Sequence, residues 1–164
     1  MTLRRFLVLH DYGMGALWWW VRARSAREIV ETFAEVEVID DPEDLARFAD
    51  GELTEVDIDA PTMPEALDEL REQRDAQRGR PGFGALAGRD RVWLRQPGEE
   101  GVVWAEELGP DGRRLRQVEV QPDGTLVPSR AEDWAFNPPT DLHDPDLVRW
   151  EITEDEFEQL WDAA

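Results

Sequence analysis

The chain has 164 residues, of which thirty-eight are acidic and eighteen basic, contains no Cys, and carries a formal charge of −20. A field of that sign repels phosphate and anionic lipid, which excludes nucleic acid and membrane surfaces as expected partners and favours a basic protein. Without Cys there is no disulfide framework and no thiolate chemistry. Eight Trp and 41% hydrophobic residues exceed what a disordered acidic tail carries, so a folded chain with a real core is expected.

In chain order, residues 6–9 read as a short apolar strand, residues 11–15 as a hairpin turn with two glycines, and residues 17–22 as the returning strand. The arginines and short apolar run of residues 1–9 are cut off by His10 and Asp11 with no cleavage site after them, unlike a signal peptide, and a cytoplasmic location is the expectation. Ser25 and Glu28 have capping-box spacing ahead of the stripe Ile29, Val30 and Phe33, which predicts a helix ending near Ala34 and completes a ββα module. Val36, Val38 and Ile39 read as a third strand in preference to a ragged end of that helix, so short a run not settling the period, and Asp41 with Pro42 predicts a small helix reaching Phe48, stopped by Asp50-Gly51. Thr54, Val56 and Ile58 alternate like a strand. Thr62 and Glu65 repeat the capping box before a helix with Met63, Ala66, Leu67 and Leu70 on one face.

Residues 78–88, rich in Gly, Arg and Pro, read as a linker, with four glycines between 79 and 88 that lack the Lys-Ser/Thr ending of a phosphate loop. The organisation expected is a ββα-type module with an acidic segment over 1–80, then an antiparallel β-meander with a C-terminal helix over 81–164, as two halves or one continuous α+β domain. Strand-like runs at 92–94, 102–108, 115–120 and 125–127 are separated by Pro97-Gly98 and by two Asp-Gly turns, at Asp111-Gly112 and Asp123-Gly124. A Pro- and Asp-rich connection over 128–145 follows, either functional or packed over the sheet by Trp134 and Phe136. Thr153 and Glu156 form a third capping box for a terminal helix with Phe157, Leu160 and Trp161 in its core stripe.

Several features of the second half occur in a distinctive order. They are Glu106-Glu107-Leu108, the strand Arg116-Gln117-Val118-Glu119-Val120, Asp123-Gly124, a Pro-rich loop, and the ending Ile152-Thr153-Glu154-Asp155-Glu156-Phe157 with Trp161. In this order residues 102–164 resemble a small bacterial domain family of uncharacterised function. The resemblance implies the meander and its terminal helix and assigns no residue a catalytic role. Where relatives carry an acid ahead of the Arg-x-Val-Glu strand, this chain has Arg113 and Arg114.

Three constellations are candidates for function. In a strand, Trp18 and Trp20 point to one face and Trp19 to the other, so a sheet covered on one side only would leave indole surface for a partner, while a sheet covered on both would bury it. His10 and Tyr12 share a face at the first turn, from which Asp11 points away, and could line a small polar site. Asp141, His143, Asp144 and Asp146 offer oxygen ligands but lack the ordered spacing of a calcium loop, so helix-start chemistry is expected there and no metal or cofactor is expected anywhere. The acidity forms two blocks: residues 28–69 hold sixteen acids and one Arg, residues 132–164 eleven acids and one Arg.

The reading is a non-enzymatic, acidic protein-interaction module of the immunity-protein or antitoxin kind that binds a basic partner. Trp18, Trp20, Glu37, Asp40, Asp41, Glu43 and Asp44 are its candidate contacts. The alternative is a small enzyme or ligand-binding domain with a pocket near His10 and Tyr12.

Overall fold

The structure is a computed structural model that describes residues 2–164. It is α+β, with two four-stranded sheets, and the chain divides into two compact units, Met1–Arg80 and Pro81–Ala164.

In the first unit β1 (Arg4–Asp11) and β2 (Ala16–Ala23) form a hairpin that pairs Leu7 with Trp20 and Leu9 with Trp18. Both strands run longer than their apolar runs, because the ladder continues through His10 and Arg22, whose backbones pair whatever their side chains do. β3 (Glu37–Ile39) adds antiparallel to β1 and β4 (Glu55–Asp57) parallel to β2, giving the order β3-β1-β2-β4. Helices α1 (Ala26–Thr32) and α3 (Glu65–Arg78) cover the face that carries Val8, Trp19 and Val21, and their Ile29, Leu67 and Leu70 complete the core with Phe33. α2 (Pro42–Phe48) lies on the opposite face, capped as expected by Asp41, whose Oδ1 accepts from Glu43 N at 2.8 Å.

Two caps differ from expectation. Ser25 Oγ accepts from Glu28 N at 3.1 Å, but the Glu28 carboxylate reaches back to Arg24 N, 2.7 Å away, and pairs with the Arg24 guanidinium instead of closing on Ser25. Arg24 also grips Asp59, which holds that carboxyl below the usual aspartate range. The Thr62–Glu65 box does not form at all: α3 begins after Pro64, with no side-chain cap. Thr62 as cap would make Met63 the first helical residue, and a residue preceding proline is driven out of the helical region.

The second unit is a meander of β5 (Val92–Pro97), β6 (Val103–Leu108), β7 (Arg114–Val120) and β8 (Leu126–Arg130), each antiparallel to the next. The last strand takes in Pro128, which sequence patterning places in the following loop; an edge strand tolerates the missing N–H. α4 (Glu154–Ala163) starts on the reciprocal Thr153–Glu156 box and packs Phe157 against Ala105 and Val118. On the other face Leu86, Leu142 and the partly buried Trp150 pack over Val92, Leu94 and Leu108. Residues 81–88 therefore do more than link: Leu86 is 1% exposed and belongs to this core.

The two Asp-Gly turns hold Gly112 at φ 86° and Gly124 at φ 89°. Their surroundings differ. A Cβ on Gly112 would meet the backbone of Thr140, whose N–H donates to Gly112 O at 2.9 Å, whereas beside Gly124 there is open space. Gly112→Ala is accordingly expected to cost about 2 kcal/mol and Gly124→Ala about 1 kcal/mol. Urea unfolding of the two variants followed by circular dichroism checks the order; equal losses would show that the loop around Thr140 yields freely.

Candidate functional site

The uncommon run Trp18-Trp19-Trp20 is divided by the pleat. Trp19, 6% exposed, enters the core beneath α1 and α3, and Trp20, 4% exposed, is buried on the opposite face beneath α2. There Trp20 Nε1 donates to Phe48 O at 3.1 Å, Trp18 lies 4.8 Å from the Phe48 ring, and the Arg5 guanidinium sits 3.9 Å above the Trp20 ring. Both faces of this sheet are covered, so Trp20 serves as core and only Trp18 of that pair keeps partial exposure.

The pairing register places Glu37 beside Leu9, which in turn pairs with Trp18, so Glu37, Leu9 and Trp18 lie in one row across the sheet. The next row is Ile39, Leu7, Trp20 and Glu55. Asp40 and Asp41 lead directly from β3 into α2, whose first turn carries Glu43 and Asp44. Of the seven residues named as candidate contacts, Trp18, Trp20 and Glu37 thus share one face of one sheet, while Asp40 and Asp41 lie in the link to α2 and Glu43 and Asp44 in its first turn. Asp40, Asp41 and Glu43 are exposed, Asp44, Glu37 and Trp18 half-buried. Arg47, over the Phe48 ring at 5.0 Å, and Arg5, 3.8 Å from Glu55, dilute the negative charge locally. The arrangement offers carboxylates at the start of α2 and an aromatic cluster at its end, which together suit a cationic surface.

His10 and Tyr12 come together, their rings 6.4 Å apart at the tip of the first hairpin. His10 Nδ1 lies 2.9 Å from the carbonyl of Glu35, which can only accept, so Nδ1 carries a proton and the neutral ring has its lone pair on Nε2. Asp11 points away and accepts from Gly13 N at 2.8 Å, supporting the turn rather than the imidazole. Tyr12 is 55% exposed and neighbouring Met14 94% exposed.

Asp141, His143, Asp144 and Asp146 do turn chemistry. Asp141 accepts from His143 N at 3.2 Å, and Asp144 caps the 3₁₀ turn Pro145–Trp150 by accepting from Asp146 N at 2.9 Å. Among the described residues no group of three or more His, Asp or Glu is placed to hold a metal ion.

Sequence patterning missed two arginines that organise the units, Arg74 fully buried and Arg116 half-buried. Arg74 of α3, 1% exposed, donates to the carbonyls of Val30 at 2.8 Å and Phe33 at 3.1 Å, where α1 ends, and to Gln77 Oε1 at 2.8 Å. In the second unit Arg116 forks onto Glu107 with two contacts of 2.9 Å, reaches Glu158 of α4, and lies 5.0 Å from the rings of Phe157 and Trp161. Those bonds hold the Glu107 carboxyl below the ordinary glutamate range despite its burial. The signal was present in part: Arg116 alternates with Val118 and Val120, an inward position for which a charge needs a partner.

Among known proteins the chain matches no family model, no curated protein and no solved structure. Among the described residues no helix is long and apolar enough to cross a membrane.

Proposed function

We propose that the protein is an acidic interaction module that binds a basic protein, in the manner of immunity proteins and antitoxins. The observation that carries the reading is the exposed group Asp40, Asp41 and Glu43 at the start of α2, a helix whose last residue, Phe48, packs on the half-buried Trp18. Complementary charge speeds encounter and sets register, while a partly exposed indole supplies contact area that can be desolvated on docking. The net charge of −20 extends the attraction beyond the patch itself.

Affinity capture from native lysate of the source cells tests this, with the native chain and the Asp40→Asn/Glu43→Gln/Asp44→Asn variant side by side. A basic protein should be retained by the native chain at low salt, released as salt shortens the screening length to a few ångströms, and retained poorly by the variant. Capture of no basic protein, or capture indifferent to the three substitutions, would sink the reading.

A further inference from the structure

The hairpin joining β5 to β6 borders a shallow, open depression of about 750 Å³, lined by residues that include Gln96, Gly98, Glu99, Glu100, Trp104 and Glu106. The register sets Gln96, Trp104, Glu119 and Val127 in one row across the sheet and Leu94, Glu106, Gln117 and Ser129 in the next, on the face opposite α4. Trp104 and Glu106, two apart on one strand, project from that same face. Gly98 makes room for the indole, since a Cβ there would run into Nε1 and Cδ1 of Trp104. The side chains of Glu99, Glu100 and Glu106 make no hydrogen bond or ion pair among the described residues.

Glu106 is the telling member. Burial raises its carboxyl above the ordinary glutamate range, against the weaker opposing pull of Arg114. Arg114 spends its donors elsewhere: on Gln117 Oε1 at 2.8 Å, Asn137 Oδ1 at 3.3 Å and the Phe136 carbonyl at 3.3 Å, with its guanidinium 4.3 Å over Trp134. A partly desolvated carboxylate without a donor is an unfavourable arrangement that an added cation relieves.

The neighbouring residue shows the relieved form. Glu107, on the α4 face of the same strand, accepts both arms of Arg116 and the Trp93 indole N–H at 3.1 Å, with aromatic rings against the guanidinium. Glu106 has an indole and flanking carboxylates on its side of the sheet, and lacks a bonded guanidinium, since Arg114 acts on it only at a distance.

We propose that this depression takes the guanidinium of an arginine side chain from a basic protein, stacked against Trp104 and paired with Glu106, with Glu99 and Glu100 at the rim. A planar fork satisfies a carboxylate and an aromatic face together, which an ammonium does less well. The carrier's being a basic protein rests on the function proposed above; recognition of the guanidinium stands on the depression alone.

Nα-acetyl-arginine amide titrated into the full chain, followed by ¹H–¹⁵N NMR, tests the recognition. The Trp104 indole N–H and the Gly98 and Glu106 amides should shift saturably at ligand concentrations on the order of millimolar, and Nα-acetyl-citrulline amide, similar in shape but uncharged, should leave them unmoved. Glu106→Gln preserves the side chain's shape and removes a charge whose burial is unfavourable, so it should fold with unchanged shifts in the first unit and bind about tenfold more weakly or less. Equal shifts from the arginine and citrulline compounds, or undiminished binding by Glu106→Gln, would overturn the proposal. Arginine-amide binding without capture of any basic protein would remove the protein carrier and the function reading while the guanidinium site stands. Capture of a basic protein equally by native chain and Glu106→Gln would remove this site as its anchor and leave the function reading intact.

Discussion

Arg74→Met is expected to lower the stability of the Met1–Arg80 unit by about 4 kcal/mol, the largest effect of any single change considered for this protein. The thioether fills much of the space of the arginine stem but donates nothing. Three charge-assisted bonds are lost, to the carbonyls of Val30 and Phe33 and to Gln77 Oε1. The two carbonyls belong to the C-terminal end of α1, where unpaired acceptors and the negative end of the helix dipole coincide, so a buried cation there satisfies both. Lysine should restore little, because one ammonium cannot reach three acceptors held in a fork geometry. Hydrogen exchange at the Leu7 and Val21 amides reads this unit separately from the other. Protection within about 1 kcal/mol of the native chain would mean that water or neighbouring groups satisfy those carbonyls unaided.

Arg116→Met should cost the Pro81–Ala164 unit about 3 kcal/mol at pH 7, by leaving Glu107, only 9% exposed, without its fork and by loosening α4 at Glu158. The effect carries a pH signature. Because Arg116 depresses the folded-state pKa of Glu107, the pair's contribution is fully present above the unfolded glutamate value near ~4.3 and drains away as pH falls through the lower folded value. The gap between native and variant proteins therefore narrows below about pH 4. In the double variant Glu107→Gln/Arg116→Met, removal of the stranded charge should recover part of the loss at neutral pH. Denaturant unfolding of the three proteins at pH 7 and pH 3 checks this; a gap that widens in acid would contradict the assigned partner.

Much of this architecture was legible in the chain because it rests on local chemistry. Alternation announced β4, Asp41-Pro42 announced α2, and Thr153 with Glu156 announced α4, each through contacts spanning only a few residues. The Thr62–Glu65 box failed for an equally local reason, since Pro64 bars Met63 from the helix, and that was readable too. Less legible was Leu86, set among Gly and Pro yet part of the second core: composition reports flexibility, and burial depends on what arrives from elsewhere in the chain.

The candidate contacts divide the same way. Sequence alone placed Trp18 and Trp20 on one face and Trp19 on the other, because side-chain alternation is a property of any strand. It also determined that the protein carries its negative charge in two blocks and that the two Asp-Gly pairs would turn. Only the tertiary structure decided that α2 folds back over the Trp18–Trp20 face, that Gly112 faces a backbone wall while Gly124 faces open space, and that Glu107 receives a guanidinium while Glu106 does not. Those outcomes depend on partners distant in sequence, such as Phe48 for Trp18 and Thr140 for Gly112. Periodicity tells which way a side chain points, and the packed fold alone supplies what it meets.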